Sequence, residues 1–447
     1  MGEKKKFSGK IGFILAAAGS AVGLGNLWRF PYLAAKYGGG TFLLIYFVLA
    51  ITFGFSLMLT EITIGRKTGK SVVNAYGALN PKYKFIGYLS ALVPIIIFPY
   101  YCVIGGWVIK YLTVYIRNES VAATQDTYFT NFITGTTQPI LFLAVFILVT
   151  AAIVVGGVEK GIEKFNKILM PILILLSIGV AVYGLTVPGA IDGLLYYVTP
   201  DISKFSFAAV VAAAGQLFYS LSLAMGIMIT YGSYMKKEEN IEQCVRHIEI
   251  FDTGIAFVAG LIIVPSVFAF GGGEQAASSY GPGLMFVILP RVFHSMKFGS
   301  IIGGAFFALV FFAAVTSSIS LMETIVSMVE EKMKWNRITS CIVIISIAFA
   351  MALPSTLGFG AWSSVQIIGM SILDFFDFIS NTILMPLVSL FMCIFVGYIM
   401  KPDIIAEEIS TSGPFKSRKL YNIVIKFIAP LFLVLILITS IIGAFHR

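Results

Sequence analysis

The sequence predicts an all-α membrane protein of eleven spanning helices, forming a single membrane domain over residues 1–447. Three observations lead there. First, 58% of the residues are hydrophobic, 12% are charged and mean hydropathy is +0.92. A water-soluble domain keeps a polar shell that this composition does not supply. Second, apolar runs of about 20 residues, the length that crosses a bilayer, recur along the whole chain. Third, Lys and Arg concentrate in every second loop, as they do on the cytoplasmic side of membrane proteins.

The eleven apolar segments fall roughly at 11–36, 41–67, 85–116, 139–156, 163–186, 207–235, 242–270, 299–331, 338–354, 364–399 and 419–444. Several exceed the minimum length, which implies tilt. With the N-terminus in the cytoplasm, the inner loops carry Arg66, Lys67, Lys70, Lys82 and Lys84, then Lys160, Lys164 and Lys167, then Lys236, Lys237 and Arg246. Lys332, Lys334 and Arg337 follow, then Lys401, Lys416, Arg418 and Lys419. The opposite loops hold few cations: Arg117, Lys204, Arg291 and Lys297. An odd number of spans puts the C-terminus outside. Residues 271–298, with Gly271-Gly272-Gly273 and Pro282, are too short to span and read as an external hairpin.

The net charge of +9 is spread between apolar runs, with no basic face. That excludes nucleic acid as a partner and suits loops beside anionic lipid. Cys102, Cys244, Cys341 and Cys393 are widely spaced and read as packing residues. His247, His294 and His446 are scattered, and no nucleophile–base or metal-ligand set is visible, so the chain does not read as an enzyme.

Two segments are interrupted. The first reads Gly19-Ser20-Ala21-Val22-Gly23-Leu24-Gly25-Asn26, poor helix formers in mid-span. Close packing through small residues is the plain alternative. The sixth reads Gln216-Leu217-Phe218-Tyr219-Ser220-Leu221-Ser222-Leu223-Ala224-Met225-Gly226, with polar residues midway. These are the opening helices of two five-helix halves, about 11–186 and 207–399, with an extra helix at about 419–444. Matched interruptions in two halves point to inverted repeats with a central binding site. Backbone freed in mid-membrane must face a cavity or ligand; half-helix N-termini suit a carboxylate, and carbonyls suit a cation.

Arg29, Glu61, Asp252, Glu323, Asp374 and Asp377 lie within or at the ends of apolar segments, where ionisable residues are costly. Glu61 is expected to accept from the unwound backbone of segment six. Arg29 with Asp377 is expected to close the cavity from outside; snorkelling and solvation are the alternatives for Arg29 and for the two Asp residues. Glu323 is expected to face an internal water path or the inner gate. In segment eight, Thr316-Ser317-Ser318 suits sodium, a hard cation that takes oxygen ligands, although membrane hydroxyls also bond to their own helix.

The run Ala21-Val22-Gly23-Leu24-Gly25-Asn26-Leu27-Trp28-Arg29-Phe30-Pro31-Tyr32, followed by Gly38-Gly39-Gly40, resembles the neurotransmitter:sodium symporter family, in particular its short bacterial amino-acid transporters. Tyr100-Tyr101 with Trp107, Gln216 to Gly226, and Asp374 with Asp377 agree with it. The resemblance implies a sodium-coupled importer of a neutral hydrophobic or aromatic L-amino acid in the bacterial inner membrane. It implies one sodium at the Ala21 carbonyl, Asn26, Ser220 and Asp252, completed by the substrate carboxylate. A second sodium is implied at the carbonyls of Gly19, Val22 and Ala313 with Thr316 and Ser317. The substrate carboxylate is expected at the Leu24 and Gly25 amides and Tyr101, and its ammonium at the carbonyls of Ala21, Tyr219 and Ser220 and the hydroxyl of Ser222. Ile97, Tyr219, Met225 and Leu321 are expected to line the side-chain pocket, with Ser317 nearby. Tyr219 is the implied lid beneath the Arg29–Asp377 gate, and Lys4 with Glu331, near Tyr234, the implied inner gate. Gly161 and Pro171 bracket nine residues, a spacing the family uses where the fifth helix unwinds.

Departures from the family pattern carry their own expectations. Asp252 stands where many members have Asn, and Ala256 where others have Ser or Glu. A fixed carboxylate there implies that chloride is not required. Ala224 stands where Gly is common, and its methyl is expected to trim the pocket against the bulkiest side chains. Lys4 replaces Arg at the inner gate, with weaker geometry. The usual twelfth helix has no counterpart. A sensor on the same scaffold and a proton-coupled exchanger remain as alternatives; the Thr316–Ser317 pair with Asn26 favours sodium over the second.

Overall fold

In a computed structural model, which describes residues 6–270 and 283–445, the chain is helical almost throughout, and no β-strand occurs among the described residues. Nine helices there are long and apolar enough to cross a membrane: Gly40–Thr68, Pro81–Ile116, Thr137–Val155, Val158–Leu185, Ile241–Ala269, Gly299–Met333, Arg337–Leu357, Ile372–Ile399 and Arg418–Ile442. A tenth span is a broken one, Lys10–Ala21 and Gly25–Lys36, which meet at 50°. The sixth expected segment consists of two pieces, Phe207–Ser220 and Ile227–Tyr234. Neither piece reaches spanning length alone, so the count of eleven depends on joining them. Leu284–Ser295 is a short helix that begins the described part of the expected hairpin; residues 271–282 of that expectation lie outside the described residues.

The bundle turns its apolar surface both ways. Leu175, Leu431 and Ile301 are exposed, as helices facing lipid require, while the four cysteines are buried and unpaired. The broken segments one and six lie at the centre, flanked by Gly40–Thr68, Ile241–Ala269 and Gly299–Met333.

Each break has a local cause. In segment one, Val22 is extended, with ψ at 95°. Side chains at the neighbouring glycines would collide: a methyl at Gly23 would lie 2.4 Å from Ser317 Oγ, and one at Gly25 would lie 2.5 Å from the Tyr219 ring. In segment six, Ser222 and Ala224 have φ of 52° and 60°, and Gly226 follows at 71°. Each left-handed non-glycine residue costs roughly 1–2 kcal/mol, so the turn needs partners. The Ala224 amide donates to Glu61 Oε1 at 2.6 Å, and Ser90 Oγ donates to the Ala224 carbonyl at 3.3 Å. Ser222 Oγ donates to the Ser20 carbonyl at 3.1 Å, which ties the two breaks together. Glu61 therefore sits where the sequence placed it, as the acceptor for unwound backbone.

Candidate functional site

The two breaks and segments three and eight line a small cavity of about 20 Å³, room for roughly one water. Its lining contains Ala21, Leu24, Gly25, Ile97, Tyr101, Tyr219, Ser222, Met225, Ser317 and Leu321, together with Ser20, Gly23 and Ile227. The last three were not singled out as pocket residues in the sequence. Ser20 and Gly23 belong to the break itself; Ile227 opens the second half-helix, where an apolar residue carries no distinctive signal. One end of the cavity is polar: the Leu24 amide donates to Tyr101 Oη at 3.4 Å, and Ser20 and Ser222 hydroxyls lie 3.2 Å apart. Ile97, Met225 and Leu321 make the other end apolar. Ala224 is not among the lining residues. The expected trimming of the pocket by its methyl therefore has no counterpart in this arrangement.

Beside the cavity, Asn26, Ser220 and Asp252 converge, all buried. Asn26 Nδ2 lies 2.7 Å from Asp252 Oδ1, 3.1 Å from its carbonyl and 3.0 Å from Ser220 Oγ. Ser220 Oγ donates to Asp252 Oδ1 at 2.8 Å, and Tyr46 Oη donates to Oδ2 at 3.4 Å. Asn26 Oδ1 accepts from the Gly23 amide at 3.0 Å. Asp252 is fully buried, and no Lys or Arg reaches it in an ion pair among the described residues. A buried charge of this kind is costly without a counter-ion, so the cluster is suited to a cation. Such a cation would need the Asn26 amide to turn its oxygen inward. Gln216 Nε2 donates to the Gly25 carbonyl at 2.9 Å, bracing the neighbouring half-helix.

On the other side of the first break, Ser317 Oγ donates to the Ser20 carbonyl at 2.9 Å and lies 3.5 Å from the Val22 carbonyl. Thr316 Oγ1 lies 3.0 Å from the Ala313 carbonyl and 3.1 Å from that of Phe312. Gly19 is buried in the same region. Among the described residues no group of three His, Cys, Asp or Glu could hold a metal; the oxygens here are hydroxyls and carbonyls, the donors a hard alkali cation accepts.

Toward the outer end, Arg29 and Asp377 do not meet. The Arg29 guanidinium lies 5.7 Å from the Tyr219 ring centroid, and Asp377 Oδ1 accepts from Asn381 Nδ2 at 2.5 Å and Tyr100 Oη at 3.3 Å. The expected ion pair is thus replaced by a stack, Arg29 over Tyr219, with the acid held on segment ten. Asp374 is exposed and accepts from Ser371 Oγ at 2.7 Å, while Ser371 caps this helix by accepting from the Asp374 amide at 3.2 Å.

At the opposite end, Lys4 lies outside the described residues. Glu331 accepts from the Ser71 amide at 2.6 Å and Asn74 Nδ2 at 3.1 Å, with Lys70 Nζ at 3.6 Å. Glu323, fully buried, accepts from Tyr234 Oη at 2.8 Å and forms an ion pair with Arg337, which also donates to the Val154 carbonyl at 2.6 Å. Glu323 thereby joins the end of segment six to the start of segment nine. Phe7 plugs this end: its amide donates to the Tyr234 carbonyl at 3.2 Å, and its ring packs edge-on to Phe13 and Tyr231. Ser8 is clasped by Glu163, which Lys167 contacts at 2.6 Å. That clasp had no sequence signal, because Glu163 stands among loop lysines and Ser8 is 155 residues away.

Comparison with known proteins agrees with this architecture. The family model described as the sodium:neurotransmitter symporter family matches residues 4–131 and 129–446. An uncharacterised sodium-dependent transporter of Haemophilus influenzae is 34% identical, covering 98% of each chain. One from Bacillus subtilis is 33% identical, covering 99% of each. A human sodium- and chloride-dependent taurine transporter is 29% identical over 65% of this chain and 54% of its own. The crystal structure of MhsT in complex with L-phenylalanine superposes with a TM-score of 0.89 at 37% identity, covering 98% of this chain and 100% of that one. The family carries multi-pass membrane transporters, not enzymes, and this chain belongs to it: it is a sodium-dependent symporter of the sodium:neurotransmitter symporter family.

Proposed function

We propose that the chain imports a neutral hydrophobic or aromatic L-amino acid together with two sodium ions, without chloride, by alternating access. One observation carries this reading: the buried, uncompensated Asp252 carboxylate stands against a cavity that is polar at one end and apolar at the other. The carboxylate supplies the fixed negative charge that a chloride ion would otherwise bring. Asn26, Ser220 and Asp252 hold the first sodium with the Ala21 carbonyl and the substrate carboxylate. Gly19, Val22, Ala313, Thr316 and Ser317 hold the second. Leu24, Gly25 and Tyr101 receive the carboxylate; Ala21, Tyr219, Ser220 and Ser222 receive the ammonium. Among the described residues no acidic or basic side chain lines the cavity, which supports a neutral substrate, as does the L-phenylalanine bound to the similar MhsT.

The gates follow the same geometry. Tyr219 under Arg29 is the outer lid, and Asp377 takes up Arg29 when that lid closes. Phe7, Tyr234, Glu323, Arg337 and Glu331 hold the inner side, with Lys4 joining Glu331. Joining the two pieces of segment six gives eleven spans in two inverted five-helix repeats, about 11–186 and 207–399, with the N-terminus in the cytoplasm, the C-terminus outside, and a bacterial inner membrane as the setting. Uptake into proteoliposomes over a panel of amino acids, with sodium replaced by potassium and chloride by gluconate, tests the proposal. Sodium-driven uptake of Phe, Leu or Tyr that survives without chloride is expected. Sodium-independent uptake, or collapse without chloride, refutes the respective part.

A further inference from the structure

Segment five carries a buried polar group that neither proposed ion site uses. Asn166 is fully buried, close after the π-helical turn Val158–Glu163. Its Nδ2 donates to the Ile162 carbonyl at 2.8 Å. That bond fixes the amide assignment, because only the nitrogen can serve a carbonyl. The oxygen therefore faces the other way, and it has no hydrogen-bond partner among the described residues. It points at segment one: a methyl at Gly19 would stand 2.0 Å from Oδ1. Only α-hydrogens of Gly19 can meet the oxygen there, a weaker contact than the hydrogen bond a buried acceptor requires. An amide oxygen in this position calls for a water or a cation.

Its place gives the choice. Gly19 supplies one carbonyl of the proposed second sodium site. Three residues earlier on segment five, Glu163 lies against Gly12, with a methyl there 2.2 Å from its carboxylate. Segment five thus runs along segment one from the clasped chain start to the break, and the way from the second site toward that end passes Asn166. The side chain is also tied to Ile162, inside the π-helical turn, so any loosening of that turn frees it.

We propose that Asn166 Oδ1 is an additional sodium ligand beside the second site, on the side of Gly19 that faces segment five. The inference rests on the sodium-symport reading. It is tested by binding of radioactive sodium to the purified full chain in lipid, comparing wild type with Asn166→Leu and Asn166→Asp. Leu removes the oxygen and is expected to raise half-saturating sodium roughly tenfold. Asp keeps an oxygen but loses the donor to Ile162, and is expected to bind sodium at least as tightly as wild type. Asn166→Ser, too short to reach Gly19, replaces Leu if that variant does not fold. A wild-type sodium curve for Leu or Ser overturns the inference, as does an Asp variant as weak as Leu, which assigns the effect to the Ile162 bond. Failure of wild type itself to bind sodium overturns the symport reading along with it.

Discussion

Asp252→Asn is the sharpest test of how this site handles charge. The carboxylate makes short contacts to Asn26 and Ser220, at 2.7 and 2.8 Å, and the substitution keeps an oxygen in nearly the same place. What it removes is one negative charge. Unit charges about 4 Å apart at an effective dielectric near 20 interact by about 4 kcal/mol. A neutral amide recovers part of this by coordination, and removing the charge also removes its desolvation penalty. A net loss of about 2–3 kcal/mol remains, which is roughly 30- to 150-fold in sodium affinity at about 1.4 kcal/mol per tenfold. The assay is sodium-dependent uptake of a labelled amino acid in chloride-free proteoliposomes, with the half-saturating sodium concentration as the readout. The variant should need far more sodium, and added chloride should restore part of the loss, because a mobile anion can then stand in for the missing charge. Unchanged sodium dependence in chloride-free buffer would refute the reasoning, since Asp252 would then not supply the coupling charge.

Other expectations follow from the same contacts. Asn26→Ala removes the residue between Ser220 and Asp252 and should abolish sodium-coupled amino-acid binding; retained transport at full rate counts against the first ion site. Glu61→Ala strips the acceptor from the Ala224 amide and should destabilise the protein by about 1–3 kcal/mol, seen as a lower melting temperature in detergent. Ala224→Gly relieves a φ of 60° and should stabilise by up to about 1 kcal/mol; because the methyl does not line the cavity, selectivity across an amino-acid panel should not change. Glu323→Gln weakens the tie between Tyr234 and Arg337, and a cysteine placed at Tyr231 should then label faster from the cytoplasmic side; an unchanged rate would remove Glu323 from the inner gate.

The parts of this structure that the sequence revealed share one property: they break a rule of membrane helices. Glycines and polar side chains in mid-span marked both interruptions, and a lone acid in segment two, opposite freed backbone, marked Glu61. A carboxylate at Asp252 was visible because nothing apolar explains it. Features that break no rule were silent. Ala224 is a good helix former by type, so its left-handed backbone, and with it the direction of its methyl, emerges only from the turn it occupies. Glu163 reads as one more loop charge among Lys160, Lys164 and Lys167, and its clasp on Ser8 exists only once segment five lies along segment one.

The outer gate shows a different limit. Arg29 and Asp377 are the right residue types for an ion pair, and in this arrangement they are held apart, one over Tyr219 and the other by Asn381 and Tyr100. A transporter working by alternating access must have at least two such arrangements from one sequence, each stable enough to populate. Residue type then fixes which partners are available, while the packing of each state fixes which are taken. Asp377 has neutral partners that keep it satisfied when Arg29 is away, and Arg29 has an aromatic face. Those alternatives lower the cost of parting the gate, because neither charge is left bare. The same logic applies at the inner end, where Glu331 has Ser71 and Asn74 at hand beside any lysine partner. A gate built this way exchanges contacts rather than losing them, which keeps the two states close in energy.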